Sequence, residues 1–106
     1  MYLARFSYDV QPVDRQRALD FIRREVAAAQ GQGLSARLLV TLTRGRGDDM
    51  ALQFEVELKQ LDQLDQFRQR GLGSRKETGE WMHAFSEVLT APPAVEILHV
   101  DDTKAG

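Results

Sequence analysis

Apolar and polar residues alternate along the first ten positions of the chain. The even positions carry the large apolar and aromatic side chains, Tyr2, Ala4, Phe6, Tyr8 and Val10. This period of two predicts a β-strand with one buried face, which ends before Pro12 because proline has no backbone N–H to donate. Runs rich in apolar and β-branched residues predict three further strands, at 36–43, 50–59 and 94–100. A hairpin loop at 44–49 joins the second strand to the third.

Apolar residues spaced by three and four positions predict a first helix between Asp14 and Gly31. Asp14 is the expected N-cap, and the glycines at 31 and 33 end the helix. Its apolar stripe consists of Ala18, Phe21, Ile22, Val26 and Ala29. The charged residues of this helix alternate in sign, and we assign them, Glu25 included, to a solvated face.

The second helical region is broken by the Gly-Leu-Gly sequence at 71–73. A short helix precedes the break and contains Leu61, Leu64 and Phe67. A longer helix follows, since Ser74 and Glu77 have capping-box spacing and Pro92 ends the pattern. Its apolar stripe is Thr78, Trp81, Met82, Phe85, Val88 and Leu89. Gly79 lies inside this helix and either permits close packing on the first helix or leaves space beside a ligand.

The element order is therefore β-α-β-β-α-β with a split second helix. Short, right-handed connections favour a ferredoxin-like α+β fold, a four-stranded antiparallel sheet in the order 4-1-3-2 with its helices on one face. We expect one domain over residues 1–100, followed by a mobile tail at 101–106.

The two faces of the predicted sheet differ in composition. One is almost continuously apolar and faces the helices. The other mixes aliphatic residues with charged ones: Leu3, Arg5, Arg37, Leu39, Glu55, Glu57, Glu96, Leu98 and Val100 are on it. Packing this face on a second sheet would bury the aliphatic residues and pair the arginines with the glutamates. We therefore predict a homodimer joined through its open sheet faces.

Composition excludes several classes of function. The 106 residues contain no cysteine, which excludes disulfides and thiolate chemistry and fits a cytoplasmic location. A net charge of −2 provides no field for nucleic acid or an anionic membrane, and the open sheet face has no aromatic residues for base stacking. The N-terminal run resembles neither a signal peptide nor a membrane span. We expect no metal site, because two histidines lack a carboxylate at ligand spacing.

The βαββαβ order, the length and the half-polar sheet face resemble the dimeric α+β barrel superfamily, which includes antibiotic-biosynthesis monooxygenases and NIPSNAP-like proteins. The broken helix LDQLDQFRQRGLGSRKETGEW is similar to the helix–break–helix stretch of NIPSNAP-like members. The resemblance covers residues 2–100. It implies a dimeric barrel. Some members of the superfamily are oxygenases that need no cofactor, and others have no known activity.

Haem-degrading members of that superfamily place an asparagine on the first strand, and a tryptophan and a histidine on the second helix. This chain has Trp81 and His83, but its first strand offers Ser7 in place of an asparagine. His83 also lies about 100° round the helix from the apolar stripe. We therefore do not assign a haem function, and we expect no cofactor.

The candidate site is a pocket between the apolar sheet face and the helices. We predict that four residues contact a ligand there, Tyr8, Phe54, Trp81 and Phe85, and that His99 acts as a general base at the end of the last strand. Each has a structural interpretation as well: the aromatic residues suit a core, and His99 suits a hydrogen-bonded residue at a sheet edge.

Three functional hypotheses arise from the sequence. The third, a nucleic-acid binder of ferredoxin-like shape, is the poorest, because the open sheet face has no aromatic residues for stacking. In the first, the protein binds or oxidises a small aromatic or apolar molecule, as a cofactor-independent monooxygenase-like enzyme. In the second, it is a non-catalytic dimeric interaction or ligand-sensing module. Binding of quinones, polyphenols or haem near Trp81 would favour the first.

Overall fold

The computed structural model describes residues 1–42 and 50–101. The hairpin loop predicted at 44–49 lies outside the described residues, as does the predicted tail after residue 101. The extent of the domain and the mobility of the tail therefore stay predictions.

Within the described residues, four strands form one antiparallel sheet. They are β1 Tyr2–Val10, β2 Ser35–Val40, β3 Met50–Leu58 and β4 Ala94–His99. Their order across the sheet is β2-β3-β1-β4, which confirms the predicted order 4-1-3-2. β1 and β3 share the longest ladder, from the Tyr2–Leu58 pair to the Val10–Met50 pair. The ferredoxin-like α+β class is thereby confirmed.

In the described part of the chain, three α-helices pack on the face formed by the even residues of β1. They are α1 Arg15–Gly31, α2 Asp62–Arg70 and α3 Arg75–Ser86. A single turn of 3-10 helix, Pro12–Asp14, leads into α1. Asp14 occupies the N-cap position as predicted, but its side chain makes no capping hydrogen bond. The Gly-Leu-Gly break separates α2 from α3, as the sequence predicts.

The ends of α3 show one correct and one wrong prediction. At the start, the Glu77 backbone N–H donates to Ser74 Oγ at 3.1 Å, which is the N-cap bond of the predicted capping box. At the other end, the helix stops at Ser86, six residues before Pro92. The helix ends there because the following residues bond to β1 instead: Leu89 forms a β-bridge with Val10, at the end of β1. Sheet-type bonds to β1 therefore replace the last helical turn.

The hydrophobic core lies between β1, β3 and the three helices. Its most deeply buried large side chains include Phe54, Ile22, Leu52 and Leu58. β4 is covered less well, because Val95 and Ile97 on its helix-facing side are each 46% exposed. The apolar face predicted as continuous is therefore partly open above β4, and this opening defines the candidate site.

The opposite face of the sheet carries a row of alternating charges. The strand register places Arg37, Glu55, Arg5 and Glu96 side by side. Arg5 Nε and Nη2 donate to Glu55 Oε2 at 3.0 and 2.9 Å, and Arg37 Nε donates to Oε1 at 3.0 Å. Burial would raise the pKa of Glu55, but the hydrogen bonds from both arginines outweigh it and lower that pKa. The predicted arginine–glutamate pairs thus form within a single chain.

Two glycines near the helix break provide a test of the backbone geometry. Gly79 faces open space, so Gly79→Ala is expected to raise the free energy of unfolding by about 1 kcal/mol. Gly71 has φ +63° and a side chain there would collide with Thr78 Oγ1, so Gly71→Ala is expected to lower it by about 1–3 kcal/mol. Chemical denaturation of both variants measures the difference, and equal effects would contradict this geometry.

Candidate functional site

A cleft of about 660 Å³ lies between β1, β4 and the helices α2 and α3. Its volume is within the range typical of small-molecule sites. Five aromatic side chains line it: Phe6, Tyr8, Phe67, Trp81 and Phe85. Such walls suit a flat apolar or aromatic molecule, because ring faces stack and bury large areas.

Phe85 is the centre of the aromatic cluster. Its ring centroid lies 4.7 Å from that of Tyr8, 5.2 Å from Phe21 and 5.3 Å from Trp81. Trp81 and Phe85 are four residues apart on α3, so both rings lie on the same face of the helix. The indole N–H of Trp81 donates to the backbone carbonyl of Phe21 at 3.1 Å, which fixes the ring against α1.

The linker between α2 and α3 forms another wall. Gly71 ends α2 with a positive φ, a conformation that glycine adopts without strain. The Leu72 backbone N–H then donates to Thr78 Oγ1 at 2.9 Å, which attaches the linker to α3. Leu72 and Thr78 both line the cleft. The break predicted from the Gly-Leu-Gly sequence therefore shapes the site.

A buried acidic residue lies in this aromatic cleft. Glu25 on α1 is only 7% exposed and lines the cavity. The phenolic hydroxyl of Tyr8 donates to Glu25 Oε1 at 2.9 Å, across the gap between β1 and α1. Among the residues that the structure describes, Glu25 forms no ion pair. The pair is therefore a carboxylate held in apolar surroundings by one phenol.

Burial raises the pKa of Glu25 from its ordinary value of 4.5 to about 7, while the hydrogen bond from Tyr8 opposes the rise. Burial also raises the pKa of Tyr8, and the charge of Glu25 and their hydrogen bond raise it further; the charge of Arg68 lowers it. Tyr8 therefore remains a donor, and Glu25 changes charge near neutral pH.

Glu25 corrects a sequence-based prediction. We assigned it to a solvated helix face, and that assignment is wrong. The pattern does contain a signal, because Glu25 lies three residues after Ile22 and four before Ala29, both buried. A helix of 3.6 residues per turn places it within the apolar stripe. Its charge hides this position from a search for apolar residues.

The structure brings together three of the five predicted site residues. Tyr8, Trp81 and Phe85 line the cleft. Phe54 is fully buried between the rings of Phe6 and Phe67, at centroid distances of 5.6 and 5.9 Å, and does not line the cavity.

His99 lies apart from the cleft. It is on the helix-facing side of β4, as predicted, but it is exposed and packs against the Tyr2 ring at 5.2 Å. His83 is solvated as predicted, with Nε2 3.3 Å from Glu87 Oε1. Over residues 1–42 and 50–101, no three acidic or histidine side chains form a group that could hold a metal ion. No helix of that part is both long and apolar enough to cross a bilayer.

Comparison with solved structures shows what the fold resembles. A crystal structure described as an antibiotic biosynthesis monooxygenase superposes with a TM-score of 0.72 at 13% identity, over 95% of this chain and 99% of that one. The chain has the fold of antibiotic biosynthesis monooxygenases and NIPSNAP proteins. An uncharacterised NIPSNAP domain protein from Burkholderia xenovorans matches over the whole of both chains, with a TM-score of 0.70 and 13% identity.

A NIPSNAP family protein from Agrobacterium tumefaciens has a TM-score of 0.69 at 18% identity, over 97% of this chain and 88% of that one. No family model and no curated protein matches the sequence. The resemblance inferred from the strand and helix pattern is thus confirmed at the level of fold.

The Glu25 site predicts a pH-dependent stability. The pKa of Glu25 is higher in the folded state than in the unfolded state, so the folded protein binds more protons. The free energy of unfolding that this protonation contributes is lost as pH rises from 4.5 through about 7. Glu25→Gln keeps an oxygen acceptor for Tyr8 but cannot ionise. Relative to this variant, the wild type should lose about 3 kcal/mol over that interval. Denaturant melts across the interval measure it, and parallel curves for the two proteins would contradict it.

Proposed function

We propose that this protein binds a small, largely aromatic molecule in the cleft between β1, α2 and α3. The observation that carries the proposal is the set of aromatic walls around an open cavity of about 660 Å³. Small-molecule sites are typically concave and mostly apolar, with a few polar groups. The size of this cleft and the aromatic rings that border it support the binding proposal.

The rim of the cleft supports the same proposal. Met82 on α3 is 60% exposed and Val95 on β4 is 46% exposed, and both line the opening. When a ligand covers apolar side chains at a cavity mouth, it removes their surface from water, which favours binding. The guanidinium carbon of Arg68 lies 5.6 Å from the centre of the Phe6 ring at the same site. The site therefore suits an apolar ring with a polar group directed inward.

We further propose that dioxygen oxidises the bound molecule without a cofactor. The support is the shared fold with a crystal structure described as an antibiotic biosynthesis monooxygenase. The alternative is a ligand-sensing module that binds without turnover. Product analysis after incubation in air separates the two proposals, because only oxidation consumes the ligand.

The protein is also proposed to form a homodimer through its open sheet face, in the cytoplasm. Leu3, Leu39, Leu98 and Val100 are half-buried on that face in the single chain. A second copy would cover these aliphatic side chains and place charge rows opposite one another. The row from Arg37 to Glu96 alternates in sign, so an antiparallel copy can complement it.

Ligand binding can be measured with one intrinsic probe, because Trp81 is the only tryptophan of the sequence. Titration with quinones, polyphenols and haem is expected to quench its fluorescence along a saturable curve for at least one compound. Val95→Arg places a long charged chain at the mouth and should weaken that binding about tenfold or more.

Ile97→Arg is the matched control, because Ile97 is equally exposed on the same strand but does not line the cleft. It should leave the affinity unchanged. If none of the compounds quenches the fluorescence, the binding proposal is overturned. If the two variants weaken binding equally, the ligand does not bind in this cleft.

Sedimentation tests the dimer. The wild type is expected to have twice the chain mass of 12.0 kDa. Leu98→Asp introduces a charge into the proposed interface and should give a folded monomer. Leu61→Asp, at an exposed leucine beside α2, should remain dimeric. A wild-type protein of single-chain mass at micromolar concentration would contradict the dimer.

A further inference from the structure

The Glu25 carboxylate has one oxygen free for a ligand. Oε1 accepts the Tyr8 hydrogen bond, and among the described residues no donor reaches Oε2. Within the same residues, no fully enclosed polar side-chain atom lacks a partner. Oε2 therefore keeps some accessible surface, and Glu25 lines the cleft. As a carboxylate oxygen, Oε2 accepts hydrogen bonds. While Glu25 is ionised, a polar group that a ligand directs there has to be a donor.

The other charged group of the cleft favours a neutral donor over a cation. Arg68 on α2 lines the same cavity, and its positive charge lowers the pKa of Tyr8, so its field reaches the Tyr8 hydroxyl. An ammonium group bound in this cavity would place a second positive charge near Arg68. A hydroxyl that can lose its proton is favoured instead, because the resulting anionic oxygen is stabilised by the same charge.

We propose that Glu25 accepts the proton of an acidic hydroxyl on the bound aromatic molecule, and that Tyr8 is the positioning residue that holds its carboxylate. The ligand class is a phenol or an enol carried on an apolar ring. In the step, the ligand O–H bond breaks, its electron pair stays on the ligand oxygen, and the proton forms an O–H bond with Glu25. The products are an anionic ligand and a neutral carboxylic acid.

This inference rests on the proposed ligand-binding function of the cleft and adds a residue and a substrate class to it. The chemistry requires a base that is ionised at working pH yet basic enough to take a proton. A carboxyl group with a pKa of about 7 meets both conditions. The titratable and charged side chains that line the cavity with Glu25 are Tyr8 on β1 and Arg68 on α2. The cleft residues of α3 and β4 are uncharged, Thr78, Trp81, Met82, Phe85, Ser86 and Val95.

A matched pair of fluorescent probes tests the inference: 7-hydroxycoumarin carries the acidic hydroxyl, and 7-methoxycoumarin has the same ring system without the proton. Affinities are measured by quenching of Trp81, with correction for the free hydroxycoumarin that is already ionised. One pH unit above the Glu25 pKa, the wild type should prefer the hydroxy probe about tenfold, as expected for a charge-assisted hydrogen bond. One unit below, the preference should largely disappear.

Two variants assign the preference to named residues. Glu25→Gln should abolish the preference at both pH values while 7-methoxycoumarin still binds. Tyr8→Phe keeps the ring but removes the bond that lowers the pKa of Glu25, so the preference should appear only at higher pH. Circular dichroism confirms that each variant is folded. If Glu25→Gln does not fold, the role of Glu25 is tested by two other results. These are the pH dependence of the preference in the wild type and its shift to higher pH in Tyr8→Phe.

The outcomes distinguish this inference from the function on which it rests. Binding of neither probe would overturn both. Equal binding of the two probes by the wild type would leave the binding site intact and overturn the role of Glu25. A preference that persists in Glu25→Gln, or that does not vary with pH, would also overturn it.

Discussion

The hydrogen bond between Tyr8 and Glu25 is the constraint on which the arrangement of the site depends. A carboxylate removed from water loses several kcal/mol of solvation free energy unless it is paired or hydrogen-bonded. The bond from β1 to α1 offsets part of this loss, and it also fixes the distance between sheet and helix. The rest of the loss appears as the raised pKa. A carboxyl group in this state is stabilised further by any ligand that provides a donor.

The fold follows from patterns that are visible in the sequence. Alternation from Tyr2 to Val10 identifies β1 because every second side chain on a strand points to the same face. The Gly-Leu-Gly break at 71–73 identifies the end of α2, because only glycine adopts the backbone angles found at Gly71 without strain. The end of α3 at Ser86 could not be predicted in this way. It depends on the β-bridge between Leu89 and Val10, which are far apart in the chain.

The site could be predicted only in part. Trp81 and Phe85 are identified by helical spacing, and Tyr8 by strand alternation. These periods indicate which face of the helix or strand a residue lies on. Neither period states how far the helices extend over the sheet. They stop short of β4, so His99 is exposed although it is on the helix-facing side. Glu25 was missed for a related reason: its spacing indicates burial, but its charge argues for solvent, and only the packing of β1 on α1 decides between them.

We infer that Glu25 is a buried carboxyl group that changes charge near neutral pH inside the proposed ligand-binding cleft. The most direct measurement is a titration of its side-chain carboxyl carbon by nuclear magnetic resonance, with Glu25→Gln used to assign the signal. A midpoint near 7 is the predicted result. A midpoint near 4.5, the ordinary value for an exposed glutamate, would show that Glu25 is solvated and would contradict the account.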